Sequence, residues 1–302
     1  MGRATSTVLA PDQSTWSAYV ELTKPITWFP PMWAFGCGVV SSGQGFSERW
    51  PFALAGIALA GPLICGTSQI VNDWFDRHVD AINEPDRPIP SGRVPGKLGL
   101  YFAIVWTTLS LAVAALLGPW VMAAAVVGVL LAWAYSAPPF RLKKNGWWGN
   151  AAVGLCYEGL PWFTAAAALT GGLPATPVVL TALLYSIGAH GIMTLNDFKA
   201  ITGDRIMGIR SLPVQLGPER AARFACLVML LPQAVVAGLL VSWQQDLAAT
   251  GVVIVILAQA ALMLRFLRDP IRHATWYSAT GVTLYVSGML VSAFAIRNLL
   301  TA

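Results

Sequence analysis

Asn72-Asp-Trp-Phe-Asp-Arg-His-Val-Asp80 is echoed 124 residues later by Asn196-Asp-Phe-Lys-Ala-Ile-Thr-Gly-Asp204. The two stretches align without gaps and share their first, second and ninth residues, whereas Asp76 in the first faces Ala200 in the second. Each stretch ends a long apolar segment, so the repeat predicts two equivalent membrane helices with polar ends on the same side. Carboxylates gathered there repel one another and resist ionisation unless cations lie between them. The repeat therefore predicts a helical membrane fold with a positively charged ligand at one end.

The composition is that of a polytopic membrane protein. Of the 302 residues, 56% are hydrophobic and 11% are charged, and the mean hydropathy is +0.62, which is unusual for a soluble domain. We expect an all-α bundle of nine transmembrane helices around a central cavity, because nine segments approach the roughly 20 residues that cross a bilayer. These segments are 24–43, 51–72, 97–117, 119–137, 148–170, 175–196, 217–243, 248–267 and 276–297. They predict a single domain over 1–302, with a short N-terminal segment at 1–20 and pseudo-repeat halves at about 21–137 and 148–298.

The basic residues predict the orientation of this bundle. All but two of the 19 Lys and Arg side chains, beginning with Arg3 and Lys24, fall on one face, and only Arg49 and Arg297 fall on the other. Cytoplasmic loops carry such an excess, so the N-terminus and both acidic motifs are expected in the cytoplasm and the C-terminus on the opposite side. Because the cations are spread over alternate loops, the net charge of +5 reflects topology and not nucleic-acid binding.

The N-terminal residues favour a bacterial protein or a mature, processed chain, and we expect a multi-pass protein of a bacterial inner membrane. The first 15 residues contain one Arg and no apolar core, so they predict neither a secretory signal nor a plastid transit peptide. Cys37, Cys65, Cys156 and Cys226 lie in or near apolar spans without metal-binding spacing. They are therefore predicted to be small packing residues.

The motif side chains offer oxygen ligands for a metal ion. On a helix, positions 0, 4 and 8 fall on nearly the same face, so Asn72, Asp76 and Asp80 are expected to project together, as are Asn196 and Asp204. Such ligands suit Mg²⁺, which usually completes its shell with waters and substrate phosphates. The candidate metal ligands are Asn72, Asp73, Asp76, Asp80, Asn196, Asp197 and Asp204.

Basic residues near the motifs indicate a diphosphate as the matching ligand. Lys and Arg side chains, together with a metal, neutralise the charge that develops on a diphosphate leaving group. The simpler alternatives are that the cations only set the topology and that the motifs are solvated helix ends. Two gapless copies at equivalent span ends favour ligand binding. The candidate cations are Arg77, Arg141, Lys143, Lys144, Lys199, Arg205 and Arg210.

Five stretches of the chain resemble a known family. Residues 72–92, Tyr157-Glu-Gly-Leu-Pro-Trp162 and residues 196–205 are similar to the chlorophyll synthase branch of the UbiA superfamily of intramembrane prenyltransferases. Lys24-Pro-Ile-Thr-Trp-Phe-Pro-Pro-Met-Trp33 and Gly188-Ala-His-Gly-Ile-Met-Thr-Leu195 are similar to the bacteriochlorophyll-forming members of that branch. The resemblance covers nearly the whole chain, from residue 20 to residue 298.

This resemblance implies Mg²⁺-dependent transfer of a geranylgeranyl or phytyl group from its diphosphate to the propionate of bacteriochlorophyllide a. It also implies that both acidic motifs bind the Mg²⁺-diphosphate, although many superfamily members have an Asp at the position of Ala200. We expect Asp76, Asp204, Lys199 and Arg205 to be the catalytic residues. A propionate is already ionised near pH 7, so no residue is assigned as a general base.

Two polar residues inside apolar spans carry alternative interpretations. Glu158 is a functional candidate because ionisable groups are rare within a membrane, or else it satisfies backbone or basic groups of neighbouring helices. His190 contacts the macrocycle, through its Mg or a ring carbonyl, or is a satisfied interhelical histidine. The candidate substrate-binding residues are Arg77, Tyr135, Arg141, Lys143, Lys144, Glu158, His190 and Arg210.

Competing functions remain open at this point. The acceptor is bacteriochlorophyllide a or another superfamily acceptor such as chlorophyllide a, haem or a phenolic acid. A transporter is suggested by the internal repeat, but transporters place ionisable ligands near the bilayer midplane, whereas these acids lie at span ends. A non-catalytic pigment carrier would need neither Mg²⁺ nor the acidic motifs. The expected partners are a prenyl diphosphate, the pigment acceptor and the lipid bilayer, with pigment-assembly proteins left open.

Overall fold

The computed structural model describes residues 15–302, which form an all-helical protein. The first 14 residues, including Arg3 and most of the predicted N-terminal segment, lie outside the described residues. Within the described part the only extended pairing is an isolated bridge between Asn145 and Arg210. The α-helices are α1 (Thr15–Leu22), α2 (Phe29–Ser41), α3 (Phe46–Ala58), α4 (Gly66–Asn83), α5 (Leu98–Leu117), α6 (Pro119–Ser136), α7 (Gly146–Gly154), α8 (Leu160–Thr170), α9 (Thr176–Asp197), α10 (Ile201–Met207), α11 (Leu212–Leu216), α12 (Pro218–Ser242), α13 (Asp246–Phe266) and α14 (Pro270–Thr301).

Irregular turns join several of these helices into longer ones. The π-helical segment Leu59–Cys65 connects α3 to α4 and contains Pro62, which cannot donate the backbone hydrogen bond that a regular α-helix requires. A second π-helical segment, Leu155–Gly159, connects α7 to α8. A 3₁₀ turn at Phe198–Ala200 connects α9 to α10. Each irregular turn lies beside a cavity described below.

Seven helices of the described chain are long and apolar enough to cross a membrane, so the predicted count of nine is not confirmed. α2 has 13 residues, about 20 Å at 1.5 Å per residue, which is shorter than the roughly 30 Å hydrocarbon core of a bilayer. The helical run from α7 to α8 carries Asn150 and Glu158, which lower its hydropathy. The seven candidate spans are Ser47–Asn83, Leu98–Leu117, Pro119–Ser136, Thr176–Met207, Pro218–Ser242, Asp246–Phe266 and Pro270–Thr301.

α9 is the central helix of the larger part of the core, where it packs against α7, α12 and α14. Tyr185 of α9 stacks on Trp162 with ring centroids 5.8 Å apart and shares a 2.9 Å hydrogen bond with Ser292. The Tyr285 hydroxyl donates to the Tyr185 carbonyl oxygen (2.6 Å). Gly188 permits this approach, because a Cβ there would lie 2.0 Å from the Tyr285 hydroxyl oxygen. These buried contacts fix the position of the second motif at the end of α9.

α4 is held by α5 and α6 on the other side of the bundle. Trp106 of α5 donates to the Pro62 carbonyl oxygen (2.8 Å), which is one of the acceptors left available around the π-helical segment. Asn72 of α4 donates to Ser136 Oγ at the end of α6 (3.1 Å). The C-terminal end of α4 therefore lies opposite the end of α9, and both ends border one cavity.

Candidate active site

The two acidic motifs face each other across a cavity of about 620 Å³, called here the polar cavity. α4 contributes Asp76 and Asp80, and the second motif contributes Asp197 and Asp204. The segment between α6 and α7 closes the cavity with basic residues. Cations and carboxylates thus alternate around one space, which can hold a multiply charged anion together with metal ions. The lining includes Asp76, Asp80, Glu84, Arg87, Tyr135, Arg141, Lys143, Lys144, Asn150, Asp197, Ala200 and Asp204.

Asp76 is paired with two of the lining cations. Lys143 Nζ lies 2.5 Å from Asp76 Oδ2, and an Arg141 guanidinium nitrogen lies 3.6 Å from Oδ1. Burial lowers the pKa of Lys143 and outweighs the opposing effect of Asp76. Arg141 also has a buried Nε without a hydrogen-bond partner among the described residues. An anion bound in the cavity would satisfy this donor.

Backbone hydrogen bonds fasten the basic segment to the second motif. The Gly146 amide donates to the Arg210 carbonyl oxygen (2.8 Å), and the Arg210 amide donates to the Lys144 carbonyl oxygen (2.9 Å). A Cβ on Gly146 would lie 2.6 Å from the Leu212 amide nitrogen, so glycine allows the two chains to approach this closely. The cations of one segment are thereby positioned by the loop that follows Asp204.

Arg87 joins the carboxylates of the first motif. It donates to Asp80 Oδ2 (2.9 Å) and to Glu84 Oε2 (2.6 Å), and it lies 3.4 Å from Asp73 Oδ1. Burial lowers the pKa of Arg87, but the three carboxylates raise it further, so its pKa is raised overall. Asp73 is also paired with Lys24 Nζ at 2.7 Å, is 2% exposed, and does not line the polar cavity. The structure therefore places Asp73 behind the cavity, in an ion-paired position.

The second motif does not follow the helical spacing expected for Asn196 and Asp204. The 3₁₀ turn after Asp197 breaks the α-helical register, and Phe198 is buried there against Phe266 with ring centroids 5.7 Å apart. Asp197 and Asp204 consequently share the polar cavity, whereas Asn196 lines a different one. Asn150 of α7 donates to Asp197 Oδ2 (3.1 Å) and orients that carboxylate.

Several predicted residues lie outside the polar cavity. Lys199, Arg205 and Arg210 are exposed and are not part of its lining. Arg77 lies over the Trp74 ring, 4.1 Å from the ring centroid, and donates to the Trp74 carbonyl oxygen. The structure does not bring these four cations to the acidic residues, so their roles in binding and catalysis stay predictions.

Two less polar cavities continue from the polar one in series. The first, of about 220 Å³, is called the apolar cavity; it shares Tyr135 with the polar cavity and is also lined by Asn72 and Cys156. The second, of about 430 Å³, is called the Glu158 cavity. It borders the apolar cavity at shared lining residues, and Asn196 forms part of its wall. The shared residues are Val153, Tyr157 and Met193.

His190 lines none of these three cavities. Its Nε2 lies 3.1 Å from the Trp147 carbonyl oxygen, and its ring packs between Trp147 and Phe224, with centroids 6.1 Å and 5.6 Å away. His190 therefore lies between helices, as one alternative expects, but its Nδ1 is buried without a hydrogen-bond partner among the described residues. The ring is only partly satisfied, and its role stays a prediction. Glu158, by contrast, is 5% exposed and lines the cavity named after it.

The oxygen donors of the polar cavity fit Mg²⁺ carried with a diphosphate. Among residues 15–302 no three or more His, Cys, Asp or Glu side chains converge closely enough to enclose a metal alone. Mg²⁺ is usually bound by one or two carboxylates and completes its shell with waters and substrate phosphates. Carboxylates from both motifs, together with Arg141, whose Nε is buried without a partner among the described residues, suit that arrangement.

Comparison with known proteins identifies the family. The sequence model of the UbiA prenyltransferase family matches residues 28–295. This chain belongs to the UbiA prenyltransferase family. The match covers both acidic motifs and nearly all of the residues that line the three cavities. It confirms that the chain is a prenyltransferase and a multi-pass membrane protein.

This UbiA prenyltransferase is similar in sequence to a bacteriochlorophyll synthase chain and to a chlorophyll synthase. It is 60% identical over 282 residues to the bacteriochlorophyll synthase 33 kDa chain of Cereibacter sphaeroides, an alignment that covers 93% of each chain. It is 39% identical over 299 residues to the chloroplastic chlorophyll synthase of Arabidopsis thaliana, covering 95% of this chain and 76% of the plant protein. The predicted resemblance to the chlorophyll synthase branch is confirmed.

Solved structures share the fold. A digeranylgeranylglyceryl phosphate synthase matches with a TM-score of 0.75 at 22% identity, covering 95% of this chain and 99% of that one. A UbiA homolog from Archaeoglobus fulgidus, solved with DMAPP and Mg²⁺, matches with a TM-score of 0.71 at 18% identity, covering 90% and 99%. The helical architecture of this UbiA prenyltransferase is therefore that of the family.

Three residues of the polar cavity escaped the sequence interpretation as site residues. Arg87 and Glu84 follow the end of α4 at Asn83, so no helical spacing relates them to Asp80. Only the folded segment after the helix returns the Arg87 side chain to the motif. Asn150 did carry a signal, because an amide inside an apolar span usually needs a hydrogen-bond partner.

Proposed function

We propose that this prenyltransferase transfers a geranylgeranyl or phytyl group from its diphosphate to the propionate carboxylate of bacteriochlorophyllide a. The observation that carries this proposal is the 60% identity with a bacteriochlorophyll synthase chain over 93% of both sequences. The three adjoining cavities support it, because they offer separate surroundings for a diphosphate, a hydrocarbon chain and a large acceptor.

The polar cavity would hold the diphosphate. Asp76 and Asp80 on one wall, and Asp197 and Asp204 on the other, would hold Mg²⁺ with it, as the A. fulgidus homolog was solved with Mg²⁺ and DMAPP. Mg²⁺ bound there would supply charge neutralisation for the departing diphosphate. A role for Asn72, Asp73 or Asn196 as a further ligand would require a different side-chain arrangement.

The lining cations would bind the same diphosphate directly. We assign this role to Arg141, Lys143 and Lys144, whose backbone is fastened to the second motif. Lys199 and Arg205 are exposed outside the cavity, and we assign them only the attraction of the diphosphate toward the polar cavity. Arg141 and Lys143 are partly buried and Lys144 is exposed. The first two therefore lie where less water screens a charge, and they have the stronger effect on the leaving group.

The reaction would take place where the polar and apolar cavities meet, at Tyr135. A propionate oxygen attacks the allylic carbon that bears the diphosphate. The new carbon–oxygen bond forms as the bond to the diphosphate oxygen breaks, and that electron pair leaves with the diphosphate. No proton is transferred, so the protein's task is to align the partners and stabilise the leaving group.

The finer topology belongs to the same proposal. α2 and the run from α7 to α8 would complete nine membrane helices beside the seven longer spans. The face that carries most of the basic residues would lie in the bacterial cytoplasm. The polar cavity opens among those residues, where a water-soluble diphosphate is available.

An acceptor assay tests the proposed function. Membranes containing the protein are incubated with bacteriochlorophyllide a, chlorophyllide a, haem or a phenolic acid, each with geranylgeranyl or phytyl diphosphate, and the products are identified by mass. We expect an ester of bacteriochlorophyllide a that requires Mg²⁺. The methyl ester of its propionate should be inert, because it retains the macrocycle and lacks the nucleophile. Turnover of that methyl ester, or faster ring prenylation of the phenolic acid, would contradict the proposal.

A further inference from the structure

Glu158 has no partner in the structure. It is 5% exposed, its Oε2 is buried without a hydrogen bond, and neither carboxyl oxygen forms a hydrogen bond or ion pair with any residue of the described chain. Glu158 therefore does not satisfy backbone or basic groups of neighbouring helices in the structure. A buried polar group without a partner is costly and is rare in native proteins. Its missing partner is expected to be a ligand.

The position of Glu158 is fixed by its surroundings. It lies in the π-helical turn Leu155–Gly159, a distortion that often marks functional sites. Ser186 Oγ of α9 donates to the Gly154 carbonyl oxygen (3.0 Å). Cβ atoms on Gly154 and Gly159 would lie 2.7 Å and 2.5 Å from Ser186 oxygens. The turn therefore sits directly against α9, and this contact holds the Glu158 carboxyl group at the cavity wall.

The Glu158 cavity suits a large ring with few polar atoms. Its described lining contains no basic residue, and most of it is apolar or aromatic, including Trp33, Ile192 and Val286. A diphosphate would find no cation there. Ile26 and Phe29 on its wall are 90% and 62% exposed, so this side of the cavity lies at the protein surface and is itself apolar.

The location of the cavity brings such a ring to the reaction. It shares Val153, Tyr157 and Met193 with the apolar cavity, which meets the polar cavity at Tyr135. Asn196, on its wall, directly precedes Asp197, which lines the polar cavity. A carboxylate arm on a ring held there would point toward the junction where the prenyl carbon leaves its diphosphate.

We propose that the Glu158 cavity binds the macrocycle of the acceptor, and that Glu158 donates a hydrogen bond to a carbonyl oxygen on the rim of that ring. This inference rests on the proposed function. In such surroundings a carboxyl group is stable as the neutral acid, which has one O–H donor. Glu158 is thus an acceptor-binding residue and takes no part in bond making.

Two substitutions at Glu158 test this contact. Glu158→Gln keeps a donor of similar size, whereas Glu158→Leu removes it. We expect the Leu variant to raise the dissociation constant and the KM for the pigment about tenfold, and the Gln variant to stay within about threefold. The KM for the prenyl diphosphate should not change in either. Pigment binding is measured without prenyl diphosphate, from the absorption spectrum of bacteriochlorophyllide a on titration with purified protein.

Thr181 provides a control for the loss of a buried polar group that does not bind a ligand. Thr181 Oγ1 of α9 is also buried and unpartnered, and Thr181 lines none of the three cavities. Thr181→Val should leave both KM values unchanged. An acceptor analogue in which the ring carbonyl is replaced by a methylene should bind wild type and Glu158→Leu equally, because it has no oxygen at that position to accept the hydrogen bond.

A bulky substitution tests the location independently. Val286→Trp fills the Glu158 cavity from α14 and should abolish pigment binding while prenyl diphosphate still binds. If Val286→Trp instead shifts the preferred prenyl chain length and leaves pigment affinity intact, the cavity holds the prenyl tail and the inference is overturned. Unchanged pigment affinity in Glu158→Leu would overturn the contact. Failure of wild type to bind or esterify the pigment would instead mark the proposed function as wrong.

Discussion

Asp76 and Asp204 lie on opposite walls of the polar cavity, one in each copy of the repeated motif. Replacing either by Ala should lower the turnover number about a hundredfold or more, as expected for loss of a group that stabilises charge in the transition state. The assay is ester formation by purified protein at limiting Mg²⁺. Asp246→Ala is the control, because Asp246 is exposed at the start of α13 and does not line the polar cavity. Near wild-type turnover in both variants would exclude the proposed metal site.

Lys143 and Lys199 are the two candidates for the lysine that binds the diphosphate. The structure places Lys143 in the polar cavity, whereas Lys199 is only close to the second acidic motif in sequence. Lys143 is partly buried and paired with Asp76, whereas Lys199 is exposed outside the cavity. Lys143→Met should lower kcat/KM for the prenyl diphosphate about tenfold to a hundredfold, the effect of one charge-assisted contact of about 1.5–3 kcal/mol. Lys199→Met should lower it less than about threefold. The reverse order of effects would restore Lys199 as the catalytic cation.

The carboxylates of the site were predictable from sequence, and so was the presence of Arg141, Lys143 and Lys144 near them. Arg87, and the pairing of each cation with a particular carboxylate, were not. Asp76 and Asp197 stood out because charged residues at the ends of apolar spans are few and because the motif is repeated. Arg87 and Lys143 become partners through loop conformations that place a side chain beside a residue distant in sequence. No local spacing encodes such a contact. The exposure of Lys199 likewise depends on the direction of the chain after the 3₁₀ turn.

At the scale of helices, long apolar segments were easier to predict than their irregularities. The pattern of apolar residues located α5, α6, α12 and α13 closely, since most residues of these apolar helices are not buried inside the protein and an apolar residue there indicates a membrane span. It did not reveal the turn at Phe198–Ala200, because the register breaks there to bury Phe198 against another helix. Burial of one side chain in the tertiary structure thus changed which motif residue faces the polar cavity.

The contact between α9 and α14 gives a stability prediction at the same scale. A Cβ on Gly188 would meet the Tyr285 hydroxyl, whereas a Cβ on Gly238 of α12 would meet nothing within 4 Å. Gly188→Ala should therefore destabilise the protein by about 1–3 kcal/mol through overpacking. Gly238→Ala should be neutral or stabilising by up to about 1 kcal/mol, because glycine inside a helix loses more conformational entropy on folding than alanine does. Thermal unfolding in detergent measures both; equal midpoints would mean that α14 can shift away from α9 at little cost.

Across the whole molecule, the three cavities form a continuous series. The polar cavity meets the apolar cavity at Tyr135, and the apolar cavity meets the Glu158 cavity at Val153, Tyr157 and Met193. Among the described lining residues, the basic residues and the aspartates are confined to the first of these, where the basic loops lie, and Glu158 is the one acidic residue that lines the others. This separation lets one protein bind a polyanion and a large apolar ring without exposing either to unsuitable surroundings. A polar cavity built from both acidic motifs also requires that both motifs lie on the same side of the membrane.

Cysteine labelling tests this shared side for the whole chain. Ser91 is exposed in the segment between α4 and α5, and Gly172, between α8 and α9, has open space where a Cβ would be placed. Because the loops of the first face carry nearly all the basic residues, Ser91→Cys should react with a membrane-impermeant maleimide only from the cytoplasm. Gly172→Cys should react only from the opposite side. Cys37, Cys65 and Cys226 are buried and should give little background, which the unsubstituted protein measures. Labelling of both positions from one side would show that an even number of crossings separates them. Because α9 crosses the membrane after Gly172, the second motif would then lie on the side opposite to the first, which contradicts a shared polar cavity.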